Sequence, residues 1–171
     1  LLPLFFTFRP LARAELRARL IDLSRRAGVA VTDVCEWQVS DRTKKANAAL
    51  AGIGRSRRIL LSDTLLAGHP DEEIEVILAH ELGHQAHHDV WKGIANQVLA
   101  AGLGFFAASR ALRTLAPRLG WEGQADVAGL PVLLLAVGLA ALALRPVTTA
   151  ASRAMERAAD RFAIELTGDA P

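Results

Sequence analysis

From residue 127 to residue 144 the chain carries no charged side chain, and this run limits its folding more than any other stretch. A backbone amide removed from water needs an internal partner, so a run of this length folds as a helix, in lipid or inside protein. A second uncharged run, 94–108, precedes it and contains Asn96 and Gln97. At ~1.5 Å per residue that run is marginal for a hydrocarbon core of roughly 30 Å unless its helix begins earlier or packs on protein. Together they predict a helical hairpin over 94–145, with Arg110, Arg113, Arg118 and Arg145 at its ends. A buried hairpin in a soluble protein fits the same pattern, but the flanking arginines favour membrane spans. Pro131 near the start of the second run is tolerable there, and Gly102, Gly104, Gly129 and Gly138 allow close helix packing. If both segments cross, 111–126 is a loop on the far face.

Overall, 51% of residues are hydrophobic and mean hydropathy is +0.24, with the excess in the second half. The formal net charge is +2, and basic residues are dispersed among acidic ones, so nucleic acid is not an expected partner. A lone Cys35 excludes an internal disulfide and a Cys-rich zinc site, and is expected to pack in a strand.

Before the hairpin stands His80-Glu81-Leu82-Gly83-His84. A helix is expected there on separate grounds. Pro70 and Asp71-Glu72-Glu73 suit a first turn, and Ile74, Ile77, Leu78 and Leu82 repeat at helical spacing. One helical turn apart, His80 and His84 present two imidazoles to a single ion. Glu81 lies beside that face, placed to take a proton from a water polarised by the metal. The helix is expected over 71–91. A bare H-E-x-x-H also fits a surface helix that happens to carry two histidines. His84 and His88 share a face if that helix is unbroken, His69 suits a loop, and Asp89 is given no role beyond contacts within the helix or behind the metal ligands.

The first residues, 1–8, are apolar but short, without a basic leader or a small-residue cleavage site, and read as the tail of something removed. Leu11, Leu16, Leu20 and Leu23 among Arg and Glu predict an amphipathic helix over 11–28, closed by Gly28. Its basic residues read as a solvated or headgroup-facing surface. Over 29–62 the period changes. Runs at 29–39, 46–53 and 57–62, separated by Asp41-Arg42-Thr43-Lys44-Lys45 and Gly54-Arg55-Ser56, predict three strands of an antiparallel or mixed sheet. Asn47, Ala48 and Ala49 form a candidate sheet edge, with small side chains that let an extended peptide substrate pair along it; an ordinary small-residue strand fits as well. After the hairpin, Pro146 and Gly168 bracket a helix over 147–167 with Glu156 and Asp160 one turn apart. On their own, these acids flanked by arginines read as surface ion pairs.

In order and spacing, Lys45-Ala46-Asn47-Ala48-Ala49, then Gly52-Ile53-Gly54-Arg55-Ser56-Arg57-Arg58-Ile59-Leu60-Leu61-Ser62-Asp63-Thr64-Leu65-Leu66, then the H-E-L-G-H helix, resemble the integral-membrane zinc peptidases that include the CAAX prenyl proteases and HtpX. The prenyl-protease branch is the nearer. Ser152-Arg153-Ala154-Met155-Glu156-Arg157-Ala158-Ala159-Asp160 reproduces that family's S-R-x-x-E-x-x-A-D pattern. The resemblance implies an α+β, zincin-like (gluzincin) fold, in which a small sheet and the metal helix form one peptidase domain over 1–171 interrupted by a transmembrane hairpin. It implies one zinc ion, Glu156 as third ligand after His80 and His84, Glu81 as catalytic base, and Asp160 accepting a hydrogen bond from a ligand histidine. It also implies a protein or peptide substrate, contact with membrane lipid, and a multi-pass protein with the site on the cytoplasmic side. The expected location is a bacterial cell membrane; Ala- and Arg-rich usage hints at a GC-rich genome and no more. The basic residues agree weakly, with Lys92, Arg145, Arg153 and Arg157 on the zinc side against three arginines in the far loop. The chain has no Tyr to stabilise an oxyanion; the family's His or Arg for that purpose is expected beyond Pro171, in a longer chain of which this is a piece. Three functions fit: a prenyl-protease-type or quality-control membrane endopeptidase, a zinc-binding but inactive membrane scaffold, or a soluble zinc protein with an apolar hairpin.

Overall fold

The computed structural model describes residues 8–40, 45–52, 54–120 and 127–168. Residues 1–7, most of the expected turn at 41–45, Ile53 at the end of the second expected strand, and 121–126 of the expected far loop lie outside the described residues. The chain forms two compact units, one made of residues 1–89 and 155–171, the other of 90–154.

In the first unit, β1 (Phe8–Pro10), β2 (Asp33–Trp37), β3 (Ala48–Ala51) and β4 (Arg58–Ser62) make a mixed sheet in the order β1-β2-β4-β3. β1 is an addition to the three expected strands. Phe8 pairs antiparallel with Trp37, so at this residue the chain is a strand. Pro10 is accommodated because β1 is an edge, where a missing N–H costs no ladder bond. β4 lies in the interior, parallel to β2 and antiparallel to β3. Its residues from Ile59 to Ser62 are all buried, as a strand with neighbours on both sides requires. β3 is the opposite edge, where Asn47, Ala48 and Ala49 were expected. The β3–β4 connection turns at Gly52, whose φ is +108°; a Cβ there would stand 2.6 Å from the Ser56 carbonyl oxygen, so only glycine fits.

Helix α1 (Ala14–Arg26) and α3 (Asp71–Ala86) supply the rest of the core. Leu16, Leu20 and Leu23 of α1 meet Ile74, Leu78 and Leu82 of α3, together with Val34, Ile59 and Leu61, which point from the sheet to that side. Some of the basic residues at α1 are engaged in ion pairs with other elements, while Arg25 stays exposed beside Asp22 of its own helix. Arg13 and Arg19 bond Asp71, Arg19 also reaches Glu75, and Arg17 bonds Asp33, so three of them tie α1 to α3 and β2. Cys35 is a buried free thiol in β2, and burial pushes it above its ordinary range. A short helix, α2 (Asp63–Gly68), not expected from periodicity, begins where Ser62 Oγ accepts the Leu65 N–H. The Asp63 carboxylate accepts bonds from the amides of Val39, Ser40 and Thr64, joining α2 to the end of β2.

The helices beyond α3 differ from the expectation at three places. α3 stops at Ala86 and α4 (Asp89–Leu119) begins after His88, whose φ of 58° is left-handed. The single helix expected over 71–91 is therefore two. His88 does not share a face with His84; it is exposed, with its Nδ1 bonded to the Ala86 carbonyl. α4 also runs through 111–119, expected as loop, because Ala, Leu and Arg sustain a helix; it ends at Gly120, with φ +69°. Last, α5 (Leu130–Thr167) is continuous through Pro146, where a new helix was expected to start. Proline removes one N–H and crowds the preceding turn, but strong helix formers on both sides carry the helix across it.

α4 and the segment 127–167 are each long and apolar enough to cross a membrane. Thirty-one residues of α4 extend about 46 Å, more than a hydrocarbon core. Of the glycines expected to allow close packing, Gly104 has Val137 3.9 Å from where a Cβ would lie, while Gly102 and Gly138 face open space.

Candidate metal centre

His80 and His84 occupy successive turns of α3, and their Nε2 atoms lie 3.2 Å apart. Glu156 on α5 brings Oε2 to 3.5 Å from His80 Nε2 and 3.7 Å from His84 Nε2. These three are the group of potential ligands that converge among the described residues. Small residues permit the approach. A Cβ on Gly83 would stand 3.0 Å from Ala159 Cα and 3.3 Å from Phe162 Cβ. Ala159 and Ala163, one turn apart on α5, are fully buried. The pattern Glu156-x-x-Ala159-Asp160 thus places alanine at the contact and the two acids beside it, within reach of the imidazoles.

The far nitrogens of both rings are also engaged. His80 Nδ1 is 2.9 Å from Asp160 Oδ1, and His84 Nδ1 is 2.9 Å from Asp89 Oδ2. An ionised carboxylate only accepts, so each Nδ1 is the donor in its pair and each ring turns its Nε2 towards the other. Two ring nitrogens and a carboxylate oxygen converging on one point could hold a cation between them. Their spacing also suits one: with ligand bonds of about 2.0–2.2 Å, three corners of a tetrahedron stand roughly 3.3–3.6 Å apart. The donor set, two imidazoles and a carboxylate, is one that zinc takes. His80 and His84 are three-quarters buried, whereas Glu156 is 56% exposed, so the centre opens on its side.

Glu81, beside His80 on α3, is held above its ordinary carboxyl value of 4.5 by burial, with the two histidines acting the other way and Glu156 adding to the rise. At the sheet edge Asn47 is exposed, Ala48 buried and Ala49 between the two. Asn47 is fixed by its backbone, its N–H donating to Ser62 Oγ and its carbonyl accepting from the Ser62 N–H. Asp89, for which the sequence allows contacts within the helix or behind the metal ligands, is buried against His84. No periodic pattern points to it, since an unbroken helix would put a residue five positions on well away from His84.

The model of peptidase family M48 matches residues 10–171. The chain is 36% identical over 169 residues to the uncharacterized metalloprotease YhfN of Bacillus subtilis (strain 168), covering 96% of this chain and 40% of the relative. It is 31% identical over 172 residues to a CAAX prenyl protease 1 homolog of Oryza sativa subsp. japonica, covering 99% and 40%. Among solved structures it is similar to S. mikatae Ste24p, with a TM-score of 0.78 and 26% identity over 96% of this chain and 42% of that one. The chain spans about two-fifths of the length of the relatives it matches.

Proposed function

The chain belongs to peptidase family M48, a metallopeptidase family, and from that premise we propose that it carries the zinc site of a membrane metalloendopeptidase that hydrolyses peptide bonds. The observation that carries this reading is the pair of carboxylates on the two Nδ1 atoms, which leaves both Nε2 lone pairs and Glu156 Oε2 directed at one point. His80 and His84 through Nε2, and Glu156 through Oε2, would hold one zinc ion. When bound, zinc supplies Lewis-acid polarisation of the scissile carbonyl and of the attacking water. Asp160 keeps the His80 proton on Nδ1 and its ring in place. Glu81 accepts the proton that the water loses on attack and returns it to the leaving amine nitrogen. Asn47, Ala48 and Ala49 offer the open edge of the sheet to an extended substrate; β3 packs beside α3, which carries Glu81.

The relatives named CAAX prenyl protease 1 favour an endopeptidase of the prenyl-protease type, and the HtpX homolog of Campylobacter concisus, 32% identical over 111 residues, represents the quality-control alternative. We assign the protein to a membrane, crossed by α4 and α5, with the site on the cytoplasmic side, in keeping with the apolar helices and the slight excess of basic residues on that side.

The test is cleavage of an unfolded protein by the full-length protein in detergent. Glu81→Gln is expected to keep zinc and lose activity by roughly 10²–10⁴-fold. Undiminished cleavage by Glu81→Gln removes Glu81 from the mechanism, and a zinc-loaded parent that cleaves nothing favours a scaffold.

A further inference from the structure

We propose that Asp89 is a positioning residue for the metal centre, fixing the His84 imidazole with Nε2 free to bind, and that the break between α3 and α4 exists to deliver it. The inference rests on the metal-site reading above and adds a residue from outside the H-E-x-x-H and Glu156 segments.

In a continuous helix, residue i+5 lies 500° on from residue i, about 140° away around the axis, and its side chain does not meet that of residue i. Asp89 nonetheless reaches His84, with Oδ2 2.9 Å from Nδ1. It does so because α3 ends at Ala86 and the chain passes through a left-handed residue, His88, with φ 58°. A non-glycine residue in this region is uncommon, and histidine is among those that enter it more readily. The reversal returns Asp89 to the preceding turn, where it is 7% exposed, a degree of burial that a carboxylate takes up only with partners. As the first residue of α4 its charge also faces that helix's N-terminal amides, which favour a negative group.

The two ligand histidines are therefore braced from different directions. Asp160, four residues after Glu156, holds His80 and is 47% exposed; Asp89, five residues after His84, holds His84 and is almost fully enclosed. Without Asp89 the His84 proton is free to move to Nε2, where it blocks coordination, and the ring is free to turn. A role confined to starting α4 would leave both properties unchanged.

The experiment uses the full-length protein in detergent. It compares the parent with Asp89→Leu, a near-isosteric side chain that accepts no hydrogen bond, and Asp89→Asn, whose amide oxygen still accepts one. Zinc affinity is read by competition with a chromophoric chelator, and the His84 tautomer by NMR of zinc-free protein labelled with ¹⁵N-histidine. Asp89→Leu is expected to bind zinc about 10–100-fold more weakly and to show His84 exchanging between tautomers. Asp89→Asn is expected to recover most of the affinity and the Nδ1–H form. Should Asp89→Leu not fold, the Asn variant decides through its tautomer, since loss of the Nδ1–H form there overturns the hydrogen-bond role and its retention upholds it. A folded Asp89→Leu with parental zinc affinity, or an Asn variant no better than Leu, overturns the proposal. A parent that binds no zinc overturns instead the metal-site reading on which it rests.

Discussion

Leu78 on α3 and Leu134 on α5 are the same residue type in helices of one chain, yet Leu78 is fully buried and Leu134 is 64% exposed. The contrast extends to the units that hold them. In the unit of residues 1–89 and 155–171, apolar side chains recur at helical or strand spacing, their opposite faces are charged, and the apolar faces close on one core. In the unit of residues 90–154, apolar side chains go round both helices, and Val98, Leu99, Phe105, Phe106, Leu135, Leu139 and Leu142 all stand exposed. Water penalises such a surface and hydrocarbon does not. Burial in the first unit is thus provided by the protein itself, and in the second by its surroundings. Chemistry follows the same division: the converging histidines and carboxylates all belong to the first unit, where packed neighbours fix their geometry.

That contrast is open to direct attack by matched substitutions. The largest effect is expected from Leu78→Ala against Leu134→Ala, measured by unfolding the full chain in the same detergent. Leu78→Ala leaves a cavity in a closed core and should cost about 2–5 kcal/mol. Leu134→Ala exchanges one detergent-facing side chain for another and should cost less than about 1 kcal/mol. Equal losses would mean that the hairpin has a tight protein core of its own.

A smaller effect is expected from Gly83→Ala against Gly138→Ala. The new methyl at residue 83 meets Ala159 backbone at 3.0 Å, forces α3 and α5 apart, and should cost about 1–3 kcal/mol together with weaker zinc binding. At residue 138 nothing lies within 4 Å, so alanine's better helix propensity should leave stability unchanged or raise it by up to about 1 kcal/mol. Zinc affinity untouched by Gly83→Ala would mean that the close helix approach is not what places Glu156.

The smallest effect concerns pH. Hydrogen bonds from the Ser40 side chain, then from the amides of Val39, Ser40 and Thr64, hold the Asp63 carboxyl below its ordinary value of 3.8. A lowered folded-state value means that this stabilisation is complete above the ordinary value and is lost as pH falls through the folded one. The acid limb of the stability profile should therefore flatten slightly in Asp63→Asn, with no change near neutrality in its slope. An identical acid limb in parent and variant would remove Asp63 from the fold's acid sensitivity.

How far the sequence reveals the molecule depends on how local each feature is. The leucine stripes of α1 and α3 and the turn glycines Gly28 and Gly168 are legible because period and φ preference are properties of a few adjacent residues. Glu156 is not legible that way. Only a motif resemblance separates it from the arginine-flanked acids around it, because its meeting with His80 depends on Gly83 and Ala159 some seventy-five residues apart. The break at His88 carries no glycine or proline to announce it, so Asp89 looks like a solvent-facing helix residue. Pro146 misleads in the other direction, since a local helix-start signal is overridden by the helix formers around it. β1 is three residues long, too short to show a period, and exists because β2 offers it an edge.

The most direct test of the metal centre is zinc stoichiometry of the full-length protein, combined with X-ray absorption at the zinc edge, for the parent and Glu156→Ala. The expected result is one zinc per chain in the parent, bound by two imidazole nitrogens and oxygen ligands at about 2.0–2.2 Å, and a marked loss of zinc from Glu156→Ala. A parent that binds no zinc, or a Glu156→Ala variant that keeps the parental stoichiometry and spectrum, would contradict it.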